Sequence, residues 1–412
     1  MNWDFLIKDK TAVCVSTDTR NLPEGCIFFA LHGANFNGNQ FALQALETGA
    51  SYAVVDEDIP ATCTQQACFS KQLIRVDNTL LALQDLARAW RRQWGKTIIG
   101  ITGTNGKTTT KELTAAVLKT KYHLHYTQGN LNNQVGVPLT LLQLTDEHEL
   151  AIVEMGASHP GDIKELVEIA EPDCGLITNV GMAHLLGFGS FEGVKRTKAE
   201  LYDYLWQHGG YCFRNLDNPH LQEMAGNLTT IGYHTGKMPV GTALIGDYNA
   251  ENVSAALCIG EHFGVDKETA MQAIRNYVPA NNRSMQKQTE RNLLIVDAYN
   301  ANPTSMQASV LSFLQHTAPK SGKTPVLILG DMLELGEQSH LAHQNIVNLL
   351  LEQKVEKVLL VGQEFASTTA PYPVFKDAEA LKEHLKQKPL CNAVILLKGS
   401  RGIHLETIIE EL

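Results

Sequence analysis

Residues Gly100–Lys111 read GITGTNGKTTTK, and they constrain the chain more than any other stretch. Thr97–Gly100 (TIIG) predicts a buried strand before them, and Thr110–Leu118 predicts a helix after them. A glycine-rich turn between a strand and a helix start is an anion cradle. Its backbone N–H groups face phosphate oxygens, and the helix dipole adds positive potential there. Lys107 would reach the β/γ-phosphates and the Thr108 hydroxyl would sit on Mg²⁺. The bland alternative is a plain strand-to-helix turn, since Ile101 stands where the strict GxxxxGK[ST] pattern has its first glycine. Gly103, Gly106, Lys107, Thr108 and Thr109 all fall in place, so the chain is expected to hold a nucleoside triphosphate.

At 412 residues the chain is too long for one ordinary domain. It divides into sections 1–95, 96–283 and 284–412. The first mixes short strands (Gly25–Leu31, Ser51–Val55) with helices (Phe41–Glu47, and the amphipathic Leu80–Trp94). The second alternates strands at Leu150–Met155 and Cys174–Val180 with helices at Asp162–Ala170, Val194–Leu205 and Asn249–Gly260. The third repeats the alternation. Its strands are Leu293–Ala298, Val326–Leu329, Val358–Val361 and Ala393–Leu397, and its helices Ser305–Gln315, Leu341–Gln353, Ala378–Lys386 and Leu405–Leu412. This is an α/β chain with mostly parallel sheets covered on both faces. Met306, Val310 and Leu314 recur at helical spacing and read as core. Gly236–Thr242 is the most linker-like piece.

Net charge is −10, against a general nucleic-acid binder. None of the eight cysteines forms a CxxC pair, which argues against a disulfide framework or structural zinc. Cys14, Cys26 and Cys258 lie in apolar runs and are expected to be small buried hydrophobes. The start, MNWDFLIKDK, lacks a signal-peptide pattern, and no apolar run approaches membrane-spanning length. The cytoplasm is the expected location.

In open parallel sheets, ligands gather at the carboxyl ends of strands. Glu154 (in EMGAS) ends one strand and could hold magnesium. His184 (in NVGMAHLLGFGS) follows the next, and its glycine-rich setting suits a metal or phosphate role. Lys198, early on the following helix, reads from the residues alone as a surface lysine. Two loops, Gln128–Gly136 (QGNLNNQVG) and Tyr299–Ser305 (YNANPTS), are rich in amides, which suit sugar, base or peptide recognition as well as plain turns.

Together, GTNGKTT, EMGAS, NVGMAHLLGFGS with the following TKAE, and NAEN before a helix resemble the Mur ligases, the ATP-dependent amide-forming enzymes of peptidoglycan precursor synthesis. The likeness covers nearly the whole chain. GNLNNQVGVPLTLL, DAYNANPTSM, LGDMLELGEQS and LLKGSRG resemble the branch that joins D-Ala-D-Ala to UDP-N-acetylmuramoyl-tripeptide. The resemblance implies three domains: a small mixed α/β domain (1–95) binding the uridine diphosphate through TDTR (Asp18, Thr19, Arg20), a central P-loop parallel-sheet ATPase domain (96–283), and a Rossmann-like C-terminal domain (284–412). It implies ATP held by Gly103, Thr104, Asn105, Gly106, Lys107, Thr108 and Thr109, with Asn249 near the adenine and Asp297 and Tyr299 from the C-terminal domain on the ribose side. It implies two Mg²⁺ ions, held by Thr108, Glu154, His184 and Lys198, the last as a carbamylated lysine, which reverses the surface reading. Lys107, Lys198, His184 and Arg283 would be catalytic. Asn130, Asn132, Asn133, Asn300 and Asn302 would meet substrate. A monomer is expected.

Three departures stand out. Tyr248 replaces the family's histidine before Asn249, Asn37 stands where an aspartate is usual, and 233–244 is short. The competing readings are a Mur ligase adding another amino acid, a folylpolyglutamate synthase-like ligase, and a P-loop NTPase without ligase chemistry.

Overall fold

The computed structural model describes residues 3–8, 10–59, 69–279 and 285–412. Among the described residues a small antiparallel pair, His32–Gly33 with Phe36–Asn37, lies within the first section, and three large sheets follow one another along the chain. The first has four parallel strands, Val15–Ser16, Ile27–Phe29, Tyr52–Val55 and Leu73–Arg75, in that spatial order. The second has six strands, all parallel, ordered Thr230–Tyr233, Tyr211–Asn215, Cys174–Ile177, Thr97–Thr102, Leu150–Glu154, Leu124–Tyr126. The third adds an antiparallel edge, Met285–Gln288, to five parallel strands: Leu293–Asp297, Ala393–Lys398, Thr324–Gly330, Val358–Val361 and Val374–Phe375.

Thr97–Thr102 shows why the central sheet is buried on both faces. Side chains alternate along a strand. Ile98 joins a core with Met155, Leu166 and Leu201, while Ile99 and Ile101 join another with Leu113, Val117 and Ile259. Helices therefore cover both faces, as parallel sheets demand.

The helix Thr79–Trp94 links the first sheet to the second. The Asn78 side chain caps it by accepting from the Leu81 N–H, and Gly95 ends it at φ +64°. Trp90 Nε1 donates to the Leu144 carbonyl at 3.1 Å and Trp94 Nε1 to that of Thr145 at 3.0 Å, so its apolar face is anchored on the central region.

Several boundaries differ from expectation. The helix after the glycine turn starts at Lys107, three residues early, because Gly106 itself is its N-cap. The strand from Cys174 ends at Ile177; the Thr178 N–H still donates to the Thr102 carbonyl (2.9 Å), while the Thr178 and Asn179 side chains turn to the glycine turn at Asn105. Pro303–Ser312 is an α-helix that widens into a π-type turn over Phe313–Thr317, with Met306 and Val310 buried as expected. Leu405–Glu411 is a 3₁₀ helix. Cys26 is buried and Cys258 half-buried, but Cys14 is exposed, so the buried-hydrophobe reading fails there; Cys63 and Cys68 lie outside the described residues.

Candidate active site

The glycine turn is held by its own backbone and its neighbours. Gly103 sits at φ +141°, and a Cβ there would stand 2.0 Å from Thr178 Oγ1. Gly106 sits at φ +79°, with Asn252 Oδ1 2.4 Å from the position of a Cβ. Only glycine satisfies both the backbone and the space. The Thr104 N–H donates to the Asn179 carbonyl (2.9 Å) and the Asn105 N–H to Asn179 Oδ1 (3.0 Å). The Thr178 hydroxyl donates to the Asn105 carbonyl at 2.6 Å. Lys107 lies back across the loop, its Nζ donating to the carbonyls of Gly103 (2.7 Å) and Thr104 (3.0 Å).

This loop forms one wall of a cavity of about 820 Å³. Its walls come from the carboxyl ends of two sheets: Glu154 ends a central strand, and Asp297 and Lys398 end C-terminal ones. Thr104–Thr109, Asn130, Asn132, Asn133, His184, Asn249, Tyr299 and Asn300 also line it.

Glu154 is 1% exposed. Its Oε1 accepts from the Thr108 hydroxyl (3.1 Å) and from Asn132 Nδ2 (2.8 Å). Its Oε2 is buried without a hydrogen-bond partner, with Lys111 Nζ 3.4 Å away. A buried carboxylate oxygen left over beside a threonine hydroxyl in a phosphate loop fits a magnesium ion. Among the described residues no three or more His, Cys, Asp or Glu side chains gather as a metal cluster. A metal here would therefore take the rest of its ligands from outside that set.

His184 lines the same cavity, half-buried, at φ +51°. Burial pushes its pKa down, against the pull of the Glu334 carboxylate, to which its Nδ1 is hydrogen-bonded. Lys198 is 2% exposed, which overturns the surface reading drawn from the residues alone. Its Nζ lies 5.5 Å from the centre of the Phe188 ring. Burial, and then the nearby charge of Lys107, hold its pKa well below the ordinary lysine value. Lys198 does not itself line the cavity.

The other expected residues divide. Asn249 is buried, and its amide is engaged locally: Nδ2 donates to the Ile245 carbonyl (2.7 Å) and Oδ1 accepts from Asn252 (2.8 Å). Asn133 lies in the turn before the helix Gly136–Leu142, its Oδ1 accepting from the N–H groups of Val135 (3.2 Å) and Gly136 (2.9 Å). Asn302 caps Pro303–Ser312, and its Nδ2 donates to Asn105 Oδ1 at 2.8 Å, joining the C-terminal helix to the phosphate loop. Arg401 stacks over the Tyr299 ring at 5.6 Å. Asp18, Thr19 and Arg20 are not in the cavity wall. Asp18 and Arg20 form an exposed ion pair (2.6 Å) on the first sheet's side, and hydrogen bonds from Arg20 hold the Asp18 pKa near 2. Asn37 donates to both carboxylate oxygens of Glu57 at 2.9 Å, a contact an aspartate could not make when ionised. Arg283 lies outside the described residues.

Sequence reading missed Lys398, whose Nζ donates to Asp297 Oδ2 at 2.7 Å, and Lys111, the buried cation beside Glu154. Strand periodicity was the available signal: Lys398 directly continues the apolar run AVILL, so a charge there must be paired.

The chain matches two family profiles, "Mur ligase middle domain" over residues 101–235 and "Mur ligase, glutamate ligase domain" over 282–401. It is 34% identical to a UDP-N-acetylmuramoyl-tripeptide–D-alanyl-D-alanine ligase of Bacillus subtilis, over 97% of this chain and 92% of the relative. Identity is also 34% to the enzyme of that name from Escherichia coli, over 100% of this chain and 96% of the relative. In three dimensions it resembles the MurF ligase from Thermotoga maritima in complex with ADP (TM-score 0.85, 25% identity, 98% of each chain).

Proposed function

The chain belongs to the Mur ligase family, and from that premise we propose how its residues carry the reaction. It is an ATP-dependent ligase that adds D-Ala-D-Ala to UDP-N-acetylmuramoyl-tripeptide, giving the pentapeptide precursor of peptidoglycan. The observation that carries this is the near full-length identity to ligases of that name, joined to a phosphate cradle that opens on a cavity shared by two sheets.

A carboxylate is a poor electrophile. In the proposed sequence a terminal carboxylate oxygen of the tripeptide attacks the γ-phosphorus of ATP, the bond to the β,γ-bridging oxygen breaks, and ADP leaves. The dipeptide's amine then attacks the acyl-phosphate carbon, the C–O bond to phosphate breaks, and the amine loses a proton as the amide forms. The first step brings two anions together, so neutralising charge is the protein's main task. Lys107 swings from its loop carbonyls to the phosphates. Thr108 and Glu154 would hold one Mg²⁺, and His184 with Lys198 as its carbamate would hold the second. Magnesium, when bound, would offset the charge on the transferring phosphoryl group. The buried setting of Lys198 supports the carbamate, since CO₂ reacts with a neutral amine. Arg283 would add charge near the phosphates. Asn249 approaches the adenine, and Asp297 and Tyr299 the ribose. Asn130, Asn132, Asn133, Asn300 and Asn302 shape the acceptor end. Asp18, Thr19 and Arg20 take the uridine diphosphate. The functional boundaries fall near 95 and 283, and the enzyme works in the cytoplasm as a monomer. Among the described residues no helix is long and apolar enough to cross a membrane.

The test supplies ATP, Mg²⁺, D-Ala-D-Ala and UDP-N-acetylmuramoyl-tripeptide, and follows phosphate release and product mass. Phosphate and pentapeptide should appear together, and only with both acceptors present. Phosphate release indifferent to either acceptor would remove the ligase reading.

A further inference from the structure

His184, in the cavity wall, and Glu334, outside it, join the central and C-terminal sections. His184 lies between the central strand ending at Ile177 and the helix Phe191–Gln207. Glu334 lies just after the C-terminal strand Thr324–Gly330. The contact has three parts. His184 Nδ1 is hydrogen-bonded to Glu334 Oε2. The Leu186 N–H donates to the Glu334 carbonyl at 3.3 Å. Leu186 also lies against Gly336, where an added Cβ would be 3.3 Å from Leu186 Cδ1. Both members of the pair hold left-handed backbone, φ +51° at His184 and +64° at Glu334, which L-residues seldom adopt. Such a conformation persists where the surroundings impose it. His184 lines the cavity, whereas Glu334 does not.

A carboxylate can only accept, so the hydrogen in this bond sits on Nδ1 and the lone pair is left on Nε2. Ligating histidines are commonly oriented this way, by a carboxylate on the other ring nitrogen. We propose that Glu334 is a positioning residue: delivered by the C-terminal domain, it fixes the ring and tautomer of His184 so that Nε2 can take a divalent cation. This rests on the proposed role of His184. Its consequence is a gate. The second cation site would be complete only when the domain expected to bring the acceptor amine is seated, so acyl phosphate would not form with that domain away.

The experiment compares wild type with E334A and E334Q in the full chain. Mn²⁺ bound in the presence of ADP is counted by electron paramagnetic resonance, alongside kcat, Mg²⁺ half-activation and the thermal unfolding midpoint. Glu334 is well exposed, so the variants should fold. E334A should weaken the second Mn²⁺ and raise Mg²⁺ half-activation by roughly 10- to 100-fold. E334Q, whose carbonyl still accepts from Nδ1, should recover most of that. An unchanged second Mn²⁺ in E334A would overturn the proposal. So would equal losses in E334A and E334Q together with a lowered midpoint, which would make the pair merely a latch. If wild type bound only one Mn²⁺ with ADP, it is the role of His184 that would fall.

Discussion

Lys398→Met tests the C-terminal wall of the cavity. Lys398 is 2% exposed and Asp297 16% by side chain, and they meet at 2.7 Å. Lys398 Nζ also donates to the Asn300 carbonyl (3.2 Å), and Asp297 Oδ2 also accepts from Ser309 (3.1 Å). Methionine keeps the stem's volume and removes the charge. Breaking a buried pair from one side costs about 3–5 kcal/mol, because the other charge is left uncompensated. Here the Ser309 bond survives and some water reaches Asp297, so about 2–3 kcal/mol is expected. Removing both charges, with Asp297→Asn in the same chain, should bring the loss back to about 1 kcal/mol. Urea unfolding of the two single variants and the double gives the cycle. The same variants should report on ribose. Asp297 Oδ1 takes part in neither contact, and a hydroxyl on it would be worth about 1.5 kcal/mol, roughly tenfold in KM. Wild type should prefer ATP to 2′,3′-dideoxy-ATP by that factor, and Asp297→Asn, whose carbonyl oxygen still accepts but carries no charge, should keep only part of the preference. Single variants that each cost under about 1 kcal/mol and simply add in the double would refute the pairing argument.

Three further outcomes are expected. Gly106→Ala should cost about 1 kcal/mol for left-handed backbone and about 1 more as Asn252 gives up its bond from Thr110 (2.9 Å), with nucleotide binding lost by calorimetry; wild-type affinity would count against a preset cradle. Lys198→Ala should lower turnover at least ~10-fold while ATP binding holds, with short carboxylic acids restoring part of the rate; unchanged turnover would remove the carbamate. Burial, and then the neighbouring His148, push the His125 pKa from 6.5 to about 4, so the native state binds fewer protons than the unfolded one in that window. Its stability contribution is then complete above pH 6.5 and lost as pH falls towards 4, with a slope of at most ~1.4 kcal/mol per pH unit for one proton; His125→Phe should flatten the pH dependence of the urea midpoint there.

What could be read from the residues followed from how local the signal was. Asp162–Ala170 and Val358–Val361 were bounded correctly, because periodicity and flanking turns act within a few residues. The strands Leu124–Tyr126, Tyr211–Asn215 and Thr230–Tyr233 were missed. They lie toward the edges of the central sheet and read as mixed polar and apolar segments, with strand character supplied by their neighbours. The same division holds at the site. Gly103, Gly106, Lys107 and Thr108 announce themselves in one run, because one glycine turn and one helix start place all four. Lys198 could not be judged that way. Its burial depends on Phe188 and on the sheet beneath its helix, so composition suggested solvent where packing gives a buried amine.

The Asn105–Asn302 contact makes the cavity a property of two domains together. Asn105 belongs to the loop that cradles phosphate, and Asn302 caps a helix whose next turn carries Ser309, the partner of Asp297. The proposed phosphate and ribose ends of the site are thus linked by one amide pair and one helical stretch. A nucleotide that fills both ends stabilises the docked arrangement by the difference in its affinity for docked and undocked forms, and by nothing else. If the first sheet holds the nucleotide-sugar end of the acceptor, as proposed, the reacting carboxylate would enter a chamber closed by ATP itself. That order suits an acyl phosphate, which water would otherwise destroy before the amine arrived.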